Sequence, residues 1–217
     1  MMNELINNIS EALQSGKSKI IKELVEKALS EGIAAKTILE EGLLGGMDII
    51  AKKFKNNEIY IPEVLISARA MNVGTALLKP HLAESGVQSI GTALIGTVKG
   101  DLHDIGKNLV RMMFEGKGIE VIDLGVDVSA EKFIEEFKSR STDVVALSAL
   151  LTTTMGEMKS TVDAFVNEGL RENVIIMVGG APVNNSFCEN IGADIYAADA
   201  ASAAEAAKQA ILNKKGE

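Results

Sequence analysis

The 217-residue sequence holds a single cysteine, Cys188. One thiol cannot close an internal disulfide, and no Cys or His stands beside it at metal-ligand spacing, so ordinary packing is its expected role. No apolar run approaches the roughly 20 residues that a membrane span needs. Residues Met1 to Ser15 are amphipathic and carry Glu4 and Glu11, without the basic start or apolar core of a secretory signal. A cytoplasmic location and no membrane partner are therefore expected. Lys/Arg-rich blocks are missing as well. With 22 basic against 30 acidic residues, a net charge of -8 and a pI near 5.0, the surface repels polyanions, and nucleic acid is not an expected partner. Histidine is almost absent: His81 and His103 are the only two.

What is present is apolar and patterned. A hydrophobic content of 47% supplies one large core or two small ones. Up to residue 80 the apolar positions follow a helical period: Leu5, Ile6, Ile9 and Leu13; Ile21, Leu24 and Val25; Leu39, Leu43, Met47 and Phe54; Leu65, Ala68 and Met71. Four helices with short connections predict a small bundle. Asn56-Asn57 marks the turn before the fourth helix, and Pro62 suits its first turn. From residue 91 short apolar runs alternate with amphipathic stretches. Strands are predicted over Thr92 to Thr97, Ile119 to Leu124, Val144 to Leu147, Val174 to Val178 and Ala193 to Tyr196. Helices are predicted over Asp104 to Glu115, Ala130 to Ser139, Thr154 to Glu168, Asn184 to Asn190 and Ala200 to Leu212. Strict alternation of this kind implies an α/β, doubly wound parallel sheet covered on both faces. The boundary is expected near Lys79 to Ile90, where Pro80 and Gly86 interrupt the periodicity, giving domains of 1–85 and 86–217.

In a doubly wound sheet, ligands bind at the carboxyl ends of the strands. Candidate site residues should follow strands, and three segments do: Asp101 to Gly106, Ser148 to Thr154, and Gly179-Gly180. Of the two histidines only His103 lies in such a segment. A metal-bound imidazole usually passes its second ring N–H to a carboxylate, and Asp101 stands two residues before. Gly106, three residues after, would let a cofactor approach the backbone closely. The competing reading is a plain loop histidine or helix-cap neighbour. An Asp two before and a Gly three after some histidine arises by chance on the order of one time in a hundred at this composition.

At these residues the sequence becomes recognisable. Asp101-x-His103-x-x-Gly106, Ser148-x-Leu150 continuing to Thr152 and Thr154, and Gly179-Gly180 resemble the B12-binding domain shared by methionine synthase, the corrinoid proteins of methylotrophic methyltransferase systems and the B12-dependent mutases, over residues 91 to 215. The first 80 residues are similar to the helical cap that precedes that domain in methionine synthase and the methylotrophic proteins. The resemblance rests there on Glu41-Gly42 to Gly46-Met47, Phe54, Glu58-x-x-Ile61-Pro62-Glu63-Val64-Leu65 and Ala68-x-Ala70-Met71. The expected fold is thus a four-helix cap bundle followed by a flavodoxin-like, five-stranded domain.

The resemblance implies a cobalamin or related corrinoid bound base-off, with His103 as the lower axial ligand to cobalt and Asp101 as its hydrogen-bond partner. Thr154 stands where methionine synthase completes the relay with serine. Ser148 and Thr152 match positions that hydrogen-bond the buried nucleotide tail, and Gly179 and Gly180 match glycines that make room for it. Phe54 and Ile61 match the cap residues that shield the corrin's upper face, although periodicity alone makes Phe54 bundle core.

A methyl carrier follows from the same resemblance. It would accept a methyl group on Co(I) and donate it from methyl-Co(III), while His103 binds or leaves with oxidation state and Asp101 manages the proton. No catalytic nucleophile is needed, because the cofactor carries the chemistry. These residues leave no room for a substrate-binding barrel. The implied partners are a substrate-specific methyltransferase, a second one passing the methyl to a thiol or pterin, and a reductive activase. The alternatives are the B12 subunit of an adenosylcobalamin-dependent mutase, which lacks this cap, and a corrinoid sensor, which would append an output domain. A receiver domain is set aside: it needs an aspartate where Ser148 stands and a lysine near Ala197-Ala198.

Overall fold

The computed structural model describes residues 2–84, 89–140 and 142–216. The chain divides into two compact units, residues 1–89 with 116–118, and residues 90–115 with 119–217. The boundary expected between residues 85 and 86 lies outside the described residues.

The first unit is helical. α1 (Met2–Gln14) and α2 (Ser18–Ser30) are followed by one long rod in which α3 (Ala35–Thr37) passes through a π-helical stretch, Ile38–Leu44, into α4 (Gly45–Lys55). α5 (Ile61–Glu84) completes four rods, as the apolar periodicity predicts. Ile9, Leu13, Ile21, Val25, Leu43 and Met47 are buried between them. The π-helical stretch is not visible as a change of period in the sequence. It includes Gly42, where a side chain would press on Ile9: an added Cβ would stand 3.0 Å from Ile9 Cγ2. α5 starts with Pro62 in its first turn, where no N–H is needed, and the Glu63 carboxylate accepts the Tyr60 N–H at 3.2 Å. Its end differs from expectation. The helix continues through Pro80 to Glu84, because a proline this near the terminus removes only one ladder bond while Leu78 and Leu82 remain buried.

The second unit is a five-stranded, all-parallel sheet of order β2-β1-β3-β4-β5. In chain order it runs β1 (Gly91–Thr97), α6 (Ile105–Glu115), β2 (Ile119–Asp123), α7 (Ala130–Ser139), β3 (Val144–Ser148), α8 (Met155–Asn167), β4 (Ile175–Gly179), α9 (Asn185–Ile191), β5 (Ile195–Tyr196) and α10 (Ala200–Lys215). This is the expected doubly wound fold. Val144 to Leu147 are all buried, as a strand covered on both faces requires. Ser129, Asn184 and Asp199 cap α7, α9 and α10 by accepting the N–H groups of Lys132, Phe187 and Ser202. Phe133, Phe165, Leu94 and Ile176 fill the core, and Phe137 meets Phe165 edge to face at 5.1 Å.

β5 is shorter than predicted. Gly192 ends α9 in a left-handed conformation, and the Asp194 carboxylate accepts the Ile176 N–H at 2.7 Å, so a side chain does ladder work at this edge. Among the described residues no helix is long and apolar enough to cross a membrane.

Candidate functional site

The order of the strands reverses between β1 and β3, and register aligns their ends. Thr97 pairs with Ser148, and Ser148 pairs with Gly179. The three loops singled out in the sequence therefore leave the sheet side by side at its carboxyl edge, where a crevice opens in this topology.

The histidine loop is built around a fully buried carboxylate, Asp101. Its Oδ1 accepts the His103 N–H at 3.1 Å and lies 2.7 Å from His103 Nδ1. Its Oδ2 accepts the N–H groups of Leu150 (2.7 Å) and Leu151 (3.2 Å) and the Thr154 hydroxyl (2.9 Å). Burial by itself would raise this carboxyl, but the bonds from Leu150, from His103 backbone and ring, and from Thr154 together hold it well below the usual carboxylate range. The result is a fixed negative charge facing Nδ1.

That charge selects the tautomer with the proton on Nδ1 and leaves Nε2 with its lone pair. Nε2 has no hydrogen-bond partner among the described residues, and the His103 side chain is 51% exposed. The Thr97 hydroxyl donates to the His103 carbonyl at 2.8 Å and holds the loop from the strand side. Thr154 has one hydroxyl proton and two acceptors at 2.9 Å, Asp101 Oδ2 and the Leu151 carbonyl. Asp101 and His103 are thus brought together as the spacing predicts, and Thr154 joins them as the resemblance implies. Leu150 joins them through its N–H, while its side chain is exposed.

The other candidates stand apart from this relay. Ser148 is half-buried at the end of β3, Thr152 is exposed in the next loop, and neither hydroxyl has a partner among the described residues. Gly180 has φ +136, and a Cβ there would come within 1.8 Å of the Ala149 carbonyl oxygen, so close approach of two loops already demands glycine. At Gly179 a Cβ would make ordinary contact at 3.4 Å, and at Gly106 it would meet nothing within 4 Å. Phe54, half-buried on α4, and Ile61, exposed at the start of α5, belong to the helical unit.

A corrin suits these surroundings. At Gly106, three residues past His103, the backbone faces open space. Leu102 and Ile105, each 72% exposed, and Leu150 and Leu151 present aliphatic surface to water in the same loops. Among the described residues no three His, Cys, Asp or Glu gather as a metal site. His103 would be a lone protein ligand, which fits a metal whose remaining positions are filled by a macrocycle.

Two features had no signal in the sequence. Lys107 is buried on α6, with Nζ 2.6 Å from both oxygens of Asp123 at the end of β2 and 2.9 Å from Asn108 Oδ1. Sixteen residues separate the charges, and only the β1-α6-β2 crossover joins them. Asp127, in the loop after β2, bonds to the histidine loop, and a three-residue motif gives no hint of it.

Comparison with known proteins agrees with the geometry. Two sequence profiles, both described as B12 binding domain, match residues 91–208 and 5–79. A corrinoid protein of Desulfitobacterium hafniense (strain Y51) is 37% identical over 217 residues, covering 99% of this chain and 100% of that one. A dimethylamine corrinoid protein of Methanosarcina barkeri is 40% identical over 207 residues, covering 95% and 97%. Among solved structures, a chain of the methanol:cobalamin methyltransferase complex MtaBC from Methanosarcina barkeri superposes with a TM-score of 0.86 at 30% identity, over 96% of this chain and 80% of that one. With its buried Asp101, its free imidazole nitrogen and full-length similarity to corrinoid proteins, the chain belongs to the B12-binding family and takes a corrinoid as cofactor.

Proposed function

We infer that this protein is a corrinoid methyl carrier in which His103 is the lower axial ligand. The observation that carries the reading is an imidazole held at Nδ1 by a buried, ionised carboxylate while Nε2 stays unpaired. When bound, the corrinoid supplies a cobalt centre able to take a methyl group from one protein and yield it to another.

The chain's own residues supply the rest. Asp101 fixes the ring orientation and the Nδ1–H tautomer, which leaves the Nε2 lone pair free to bind a metal. Thr154 and the N–H groups of Leu150 and Leu151 keep Asp101 charged throughout. Leu102 and Ile105 would cover apolar macrocycle and exclude water. Ser148 and Thr152 would bond the nucleotide tail, Gly179 and Gly180 would line it, and Phe54 and Ile61 would shield the upper face. Cap and carrier domains of 1–85 and 86–217 belong to this reading.

The partners follow from what the chain leaves to others. A substrate-specific methyltransferase would load it, a second would pass the methyl to a thiol or pterin, and a reductive activase would restore oxidised cobalt. A methylated amine is the first donor to test, given the relative named for dimethylamine, and methanol the second, given the neighbour from a methanol:cobalamin methyltransferase complex.

The deciding experiment reconstitutes wild type and His103→Ala with hydroxocobalamin and compares visible spectra. The wild type should be base-off with imidazole bound, and His103→Ala should lose the imidazole. Identical spectra would sink the ligand assignment. A methyl-transfer assay with candidate methyltransferases then identifies the donor.

A further inference from the structure

The loop between β2 and α7, residues 124–129, contributes nothing to the Asp101 relay, yet it is bonded along the histidine loop. The Thr97 N–H donates to the Gly125 carbonyl at 3.0 Å, and the Val128 N–H returns to the Thr97 carbonyl at 2.9 Å. Val98 and Val128 thereby form a parallel bridge. One residue makes two further bonds. The Asp127 N–H donates to the Asp101 carbonyl at 3.0 Å, and Asp127 Oδ1 accepts the Gly100 N–H at 2.7 Å.

To make both, Asp127 adopts φ +55, a left-handed conformation uncommon outside glycine. Such a conformation persists where surrounding contacts over-determine it. The start of the loop is equally fixed: the Gly125 N–H donates to Asp123 Oδ1 at 2.9 Å, and Asp123 is clasped by buried Lys107. Lys107 sits in the first turn of α6, the helix that the histidine loop enters. Asp101's side chain is secured from the loop after β3, and the backbone before it is held by the Val98 N–H on the Ser148 carbonyl (3.0 Å) and the Asp101 N–H on the Val98 carbonyl (3.1 Å), neither of which reaches Gly100. Gly100, at φ +79, is the freest residue of that backbone, and Asp127 restrains it.

We propose that Asp127 is a positioning residue for the axial ligand: by bonding Gly100 and Asp101 it holds the loop in the conformation that presents His103 Nε2, so that coordination requires no rearrangement. The inference rests on His103 being the ligand. A loop that is competent only part of the time lowers apparent coordination by that fraction. Loss of one charge-assisted bond here should reduce the ratio of imidazole-bound to imidazole-free corrinoid about tenfold.

The test uses the full chain labelled with ¹⁵N-histidine, reconstituted with cobalamin and reduced to Co(II). In electron paramagnetic resonance, an axial ¹⁵N splits each cobalt line into two, whereas the corrinoid's own ¹⁴N base splits it into three. Doublets therefore report a protein imidazole. Asp127→Gly keeps the left-handed conformation and the backbone N–H but removes the acceptor. Asp127→Asn keeps all three.

Wild type should show doublets and His103→Ala none. Asp127→Gly should show the tenfold loss, and Asp127→Asn, which keeps the acceptor but not its charge, should lie within about threefold of wild type. A wild-type doublet ratio in Asp127→Gly, or an Asp127→Asn as impaired as Asp127→Gly, overturns the role of Asp127 and leaves the ligand reading intact. Wild type without doublets overturns the ligand reading itself. Should Asp127→Gly fail to fold, amide exchange in the wild-type apoprotein decides: Gly100 should exchange at least tenfold more slowly than an unprotected amide, and an unprotected Gly100 overturns the proposal.

Discussion

Asp101 satisfies its buried charge with donors from its own loop and from the loop after β3, so removing one donor has a definable consequence. Thr154→Val keeps the shape and removes the hydroxyl. It should lower apoprotein stability by about 1 kcal/mol, with Thr154→Ser close to wild type in urea titrations. The glycines respond oppositely to one another. Gly180→Ala places a methyl against the Ala149 carbonyl in a backbone conformation that suits only glycine, and should cost about 3 kcal/mol in the same assay. Gly106→Ala meets open space within α6, so its apoprotein stability should stay within about 0.5 kcal/mol of wild type. On the proposed reading that the cofactor occupies this space, its uptake of hydroxocobalamin should nevertheless fall. Equal uptake by Gly106→Ala and wild type would remove Gly106 from the binding surface.

At the scale of elements, α6 is tied to β2 by Lys107 and Asp123. Lys107 is buried while Asp123 keeps some solvent, so Lys107→Met should destabilise by about 3 kcal/mol, the lower end for breaking such a pair. Burial alone would raise the Asp123 carboxyl. The Lys107 bond, the Gly125 N–H and the charges of Lys107 and Arg111 more than offset it and leave the group below its ordinary value. A carboxyl lowered by folding contributes stability that is complete above its unfolded value, about 3.9, and is lost as pH falls through the folded value. The stability gap between wild type and Asp123→Asn should therefore be constant from about pH 5 upward and narrow in acid, by denaturant titration at several pH values. A gap that is flat through pH 3 would contradict the pairing. Strand β3 and helix α5 illustrate what periodicity conveys: Val144 to Leu147 announce a strand covered on both faces, and Pro62 announces a helix start. β5 and the end of α5 escape it, since the Asp194 carboxylate replaces ladder bonds and burial of Leu82 carries a helix past Pro80.

For the molecule as a whole, a cofactor that binds only the folded state adds stability by mass action. Free corrinoid at a hundred times its dissociation constant should raise the unfolding free energy by about 2.7 kcal/mol, and removing it should return the protein to the apoprotein transition, by calorimetry. The sequence by itself determined the order of helices and strands, the parallel sheet, the carboxyl-edge location of three loops and the pairing of Asp101 with His103, because each is written in local period or short spacing. Thr154 was legible only by resemblance, fifty-three residues from the carboxylate it bonds. The tertiary structure alone decided which backbone groups hold Asp101 ionised, that Gly180 answers to loop packing while Gly106 faces open space, and that Lys107 and Asp127 brace the histidine loop through β2. Those contacts join residues far apart in the chain, and no periodicity encodes a distance that only strand register and a crossover helix create. His103 could be singled out from the sequence, but the position of its free nitrogen depends on neighbours that folding selects.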